Sequence, residues 1–198
     1  MEEKNAFDIL IENLSKKGTI PETYRSEKHF LFNVDERFLN TKFVIAEIDS
    51  CFFCAFDSFG AKSYTSSTYT GIYTEISLHA FVDCFIYRKD WVDTFLRAHK
   101  IKTGLKYIDD QLTITSKSRY KPANLLSEID VKTFLELNQS INPLKIVIQK
   151  DYPPILNKLE NKLMVGLETD LWIYKENELD LLLNKGIKLI QNIKNASA

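Results

Sequence analysis

Five side chains of one short segment could meet a ligand together. Tyr69, Tyr73, Glu75, Ser77 and His79 are separated by even numbers of residues, and in an extended strand such residues share one face. Glu75 and His79 are then about 13 Å apart, at ~3.3 Å per residue. They cannot hydrogen-bond to each other, so they form no catalytic dyad by themselves. With Tyr69 and Tyr73 they can line a groove, since polar ligands are gripped by a few well-placed polar groups on such a lining. The bland alternative is an exposed sheet face held by cross-strand pairs. The enzymatic alternative is a small acid–base site around Glu75, His79 and Asp83. It needs at least two of these within reach of one substrate atom.

A second candidate is cationic. Lys117, Arg119 and Lys121 flank Tyr120 in a polar stretch, with Lys100, Lys102 and Lys106 nearby in sequence. Together they can attract an anionic partner, although charge runs usually form solvated loops. The total charge gives little help, with 26 basic against 27 acidic residues. Nucleic-acid binders need a basic excess or a basic face, so no nucleic-acid partner is expected.

Cys51 and Cys54 form a C-x-x-C, and Cys84 is the third cysteine. The pair lies in an apolar run that reads as a strand, where residues three apart point to opposite faces. Convergence on one metal, with His79 and Cys84, would require a bulge. Small buried thiols are the expected state, with no metal and no cofactor. An odd, low cysteine count also argues against a disulfide framework. Phosphate-binding glycine motifs, G-x-S-x-G and H-E-x-x-H are absent from the sequence.

These residues need elements to position them. Phe7, Leu10, Ile11 and Leu14 recur at helical spacing before Gly18, which predicts a helix over 4–17. Residues 42–48 and 50–59 predict a hairpin turning at Asp49-Ser50. Residues 68–78 and 81–88 predict two further strands. Asp90 predicts a helix carrying Trp91, Phe95 and Leu96, while 35–39 reads as one helical turn. Beyond that, 104–110 predicts strand and turn, 111–116 a strand, and Ser127 with Asp130 a capped helix. Strands are expected over 144–149, 162–168 and 171–174, the first broken by Pro153-Pro154. A helix over 176–194 closes the chain, its apolar face wider than one stripe.

The pattern predicts an α+β fold, mainly an antiparallel sheet of about eight strands with an N-terminal helix, two middle helices and a C-terminal helix. Residues 1–198 read as a single domain, with 100–110 as the point of any subdivision. The acidic start and the lack of a long apolar stretch predict neither a secretory leader nor a membrane span. The expected protein is soluble and cytoplasmic. Its expected role is a non-catalytic binding or protein-interaction module, the partner being another protein or a second copy through the C-terminal helix.

From Gly104 onward the order of features resembles the C-terminal part of a family of uncharacterised bacterial proteins known only as a domain of unknown function. The resemblance rests on Leu112-Thr-Ile-Thr-Ser116, on Leu125-Leu126 before an apolar helix, on Lys145-Ile-Val-Ile148, and on Leu163-Met-Val-Gly-Leu167. The strands at 53–56 and 73–78 add to it. Members often carry membrane spans that this chain lacks. The resemblance implies a bacterial α+β domain and assigns no catalytic residue.

Overall fold

Local signals at the chain start act as expected. The first helix, α1, runs Ala6–Lys16. Asn5 caps it by accepting the Asp8 N–H at 3.0 Å, and Gly18 leaves it at a φ of 77°, where a side chain would be strained. The computed structural model describes residues 5–26, 29–30, 37–60, 66–77, 83–90, 100–116, 125–150 and 162–197. His79, Lys117, Arg119, Lys121, the helix expected after Asp90 and Pro153-Pro154 lie outside the described residues.

Among the described residues ten strands follow: β1 Glu22–Ser26, β2 His29–Phe30, β3 Arg37–Ile48, β4 Cys51–Gly60, β5 Ser66–Glu75, β6 Cys84–Arg88, β7 Lys100–Ile101, β8 Leu112–Ser116, β9 Lys145–Gln149 and β10 Met164–Thr169. They build one sheet in the order β1-β3-β4-β5-β10-β9-β6-β8-β7, with β2 also paired to β3. Every pairing is antiparallel. The α+β expectation therefore holds. The late strands β9 and β10 sit between β5 and β6.

The helices are α2 Lys106–Asp109, α3 Glu128–Ser140 and a long C-terminal helix. The last runs as α4 Glu176–Leu181, a π-helical turn at Leu182–Gly186, and α5 Ile187–Ala196. One face of the sheet packs against α1, α3 and the C-terminal helix through Val44, Phe53, Ile72, Ile146 and Leu167. The C-terminal helix approaches the sheet closely at Gly186, where an added Cβ would lie 3.0 Å from Ile72 and 3.1 Å from Leu167. It packs on β5 and β10 of the sheet and on α3. Among the described residues no helix is long and apolar enough to cross a membrane.

Three expectations are corrected. Residues 37–39, expected as helix, extend β3 to pair with β2 and β4. Residues 106–109, expected as strand and turn, form the helical turn α2. There the Asp109 carboxylate gathers the Thr103 and Gly104 N–H groups, each at 3.0 Å. Residues 171–174 form no strand. Side chains take the place of strand partners there: Thr70 Oγ1 donates to the Leu171 carbonyl and accepts the Ile173 N–H, Thr169 accepts the Leu171 N–H, and Asn13 donates to the Tyr174 carbonyl.

Candidate functional site

The sheet has a second apolar face, and among the described residues it is built by strands. Phe43, Cys54, Phe56, Tyr69, Tyr73, Val147 and Met164 are buried there. Phe56 and Tyr69 stack with centroids 4.9 Å apart. Period-two spacing therefore does bring Tyr69 and Tyr73 to one face, but to a buried one, Tyr73 being 0% exposed.

Two glycines make room for it. The register sets Tyr73 opposite Gly166 and Gly71 opposite Glu168. An added Cβ on Gly166 would fall 2.4 Å from the Tyr73 ring, and one on Gly71 would fall 2.8 Å from both tyrosine hydroxyls. The Tyr73 ring thus lies flat across β10 and carries its hydroxyl to Glu168.

Glu168 is buried, at 4% exposed, yet each carboxylate oxygen has a donor. Tyr73 donates to Oε1 at 2.8 Å. Lys145, directly opposite on β9, donates to Oε2 at 3.0 Å. Burial pushes the Tyr73 hydroxyl well above its ordinary range, and the Glu168 charge adds to this, so Tyr73 stays a proton donor. Burial alone would lower the Lys145 ammonium. The charge and hydrogen bond of Glu168 outweigh it, with help from Tyr87 and Asp170, and hold it raised. The result is a closed polar cluster that neutralises itself in a low-dielectric setting.

The remaining candidates disperse. Glu75 sits at the end of β5, half-exposed, and pairs with Lys162 at 2.7 Å. Asp83 precedes β6, which lies three strands away from β5, about 14 Å at the usual strand spacing. Cys51 packs with the helix-side core and Cys54 with the second face, as strand alternation requires. Among the described residues no group of three His, Cys, Asp or Glu side chains could hold a metal ion.

All three thiols are buried and free. Burial pushes Cys51 up to about 11 and Cys84 up to about 12, and raises Cys54 as well. The thiolate is the reactive form, so a neutral-pH disulfide reagent should label none of the three in the native protein and all of them in urea. Stoichiometric labelling of the folded chain would show one of the thiols to be exposed.

Sequence reasoning missed Glu168 and Lys145. The signal was an acid at the end of an apolar strand, Met-Val-Gly-Leu-Glu. It also missed a groove on the outer side of α3. Two adjoining cavities of about 580 and 710 Å³ share Gln111, Leu135 and Gln139. The first reaches Arg88, Lys89 and Asp90, and the second reaches Ile129, Lys132 and Glu136. Ile129 is 74% exposed.

Comparison with protein-family models, with curated proteins and with solved structures finds no match.

Proposed function

We propose that the chain is a non-catalytic binding module that docks another protein along the outer side of α3. The observation that supports this reading is the groove itself, with the exposed Ile129 in the lining of its larger cavity. Apolar anchors framed by polar residues are the usual make-up of protein interfaces. The lining mixes Lys132 with Glu136 and carries two amides, Gln111 and Gln139. A polypeptide offers matching groups for all of these. A polyanion would meet Glu128, Glu136, Asp90 and Asp110 as like charges.

The groove is also held rigid, which limits the ordering cost of binding. Ser127 and Asp130 form a complete capping box at the start of α3. Asp130 also accepts from Asn192 of α5 at 2.9 Å. The Tyr107 hydroxyl donates to the Leu126 carbonyl, and Asn138 ties the far end of α3 to the Leu144 carbonyl.

A cytoplasmic setting is part of the same proposal. It is supported by three buried thiols, none of them in a disulfide. A bacterial origin rests on the motif resemblance alone.

A photo-cross-linking side chain placed at Ile129 in the host cell tests the reading. Ile20, 89% exposed and far along the chain from the groove, is the control. Discrete protein adducts are expected from position 129 and not from position 20. Equal adducts from both, or none from position 129, would contradict the docking surface.

A further inference from the structure

We propose that a second cavity, at the β8 end of the sheet, binds a phosphate-sized oxyanion. Its volume is about 210 Å³, and Lys89, Lys100, Lys102, Asp109 and Thr113 are among its lining residues. The three lysines reach it from two directions. Lys89 follows β6, whereas Lys100 lies in β7 and Lys102 just after it. Strands β6 and β7 flank β8 on opposite sides. Lys89 donates its N–H to the Gln111 carbonyl, just before β8. The pairing of Ile101 with Ile114 sets Lys102 alongside Thr113. Lysines from both flanks therefore line one cavity beside the start of β8.

Lysines also guard exposed sheet edges against pairing. That role explains Lys100 and Lys102 beside the edge strand β7. It does not explain Lys89, which comes from two strands further in. Lys89 Nζ donates to a neutral acceptor, the Asp109 carbonyl, at 2.8 Å. Among the described residues none of the three lysines forms an ion pair.

Among the described residues Asp109 is the one carboxylate in the lining. It already accepts the Thr103 N–H, the Thr103 hydroxyl and the Gly104 N–H, each at 3.0 Å. Among the described lining residues three positive charges thus accompany one negative charge, which its own turn holds with help from Lys102. A multiply charged oxyanion balances the excess. Ammonium groups act as point charges with rotatable donors, so they suit a tetrahedral anion and need no planar fork. The site adjoins the docking groove, since Lys89 lines both, but it does not include Ile129 or any other residue of α3.

Amide chemical shifts during titration with inorganic phosphate, at constant ionic strength set with potassium chloride, test this directly. A second arm uses O-phosphoserine, which separates a free anion from a phosphorylated side chain as the source. Saturable shifts are expected at Lys102, Thr103, Gly104 and Thr113 in at least one arm. Tighter binding of phosphoserine assigns a phosphorylated side chain, and equal or tighter binding of phosphate assigns the free anion. Lys89→Gln and Lys102→Gln should each weaken that binding about tenfold, or ~1.4 kcal/mol. Shifts that grow linearly in both arms, or that survive a Lys89→Gln, Lys100→Gln, Lys102→Gln triple variant unchanged, would overturn the proposal. All three side chains are exposed, so the triple variant should remain folded, which its spectrum reports.

Discussion

Gly166→Ala should lower stability by about 3 kcal/mol or more, the largest loss expected from any one methyl group in this chain. The added Cβ would fall 2.4 and 2.7 Å from the Tyr73 ring and 2.8 Å from the Ile72 carbonyl oxygen. The carbonyl belongs to the backbone of a paired strand and cannot yield. The ring must move instead, and it is fully buried. Its movement takes the hydroxyl away from Glu168 and leaves a buried carboxylate short of a donor. Gly18→Ala is the contrast. Gly18 has a φ of 77° and open space around it, so only backbone strain of about 1 kcal/mol is expected. Urea unfolding of the two variants should separate them clearly. Equal midpoints would mean that the Tyr73 ring is free to leave its place across β10.

Glu168→Leu should cost about 2–4 kcal/mol. It strands the Tyr73 hydroxyl in an apolar face and removes the partner of Lys145. The side chain of Lys145 is 30% exposed, so its ammonium can turn toward water, which keeps the cost below that of a fully sealed pair. Replacing the cluster as a unit, by Tyr73→Phe, Glu168→Leu and Lys145→Met together, should recover more than half of the loss. The three groups satisfy one another, so their effects cannot add. A triple variant no better than the single one would show that packing, and not the polar network, carries the effect.

The same cluster fixes a pH dependence. Tyr73 and Lys145 are both raised in the folded chain above ordinary values of 10.0 and 10.5. In each case the unfolded chain gives up its proton first as the pH rises. Their contribution is therefore complete below those ordinary values and is lost above them. Wild-type protein should lose stability more steeply above about pH 10 than the triple variant does. Identical slopes would remove both groups from the linkage.

Much of this architecture is legible locally. The α1 stripe, the Asp49-Ser50 turn and the capping box of α3 each lie within a few residues. At the turn both residues take positive φ, 49° and 61°, as a tight hairpin requires. Strand β1, Glu-Thr-Tyr-Arg-Ser, is polar and carries no such signal. It exists because β3 offers an edge to pair with.

The candidate site was legible only in part. Alternation groups Tyr69 with Tyr73 but cannot tell whether that face is covered. Tyr73 reaches Glu168 because Gly71 and Gly166 clear its path, and these four residues meet only through the register of β5 with β10, some 90 residues apart in the chain. Ile129 was hidden for a different reason. A helix sequence shows that a residue is apolar, and only the packed helix shows which apolar residue was left outside.

On the proposed reading the outer side of α3 binds the partner and the buried cluster is structural. Adduct yield from a photo-cross-linking side chain at Gln139, where the two groove cavities meet, tests that assignment most directly. Ile129→Arg should cut the yield in the host cell about tenfold, ~1.4 kcal/mol of binding, with the thermal midpoint unchanged. A yield untouched by Ile129→Arg, or no adduct at all from Gln139 in the unsubstituted background, would contradict the account.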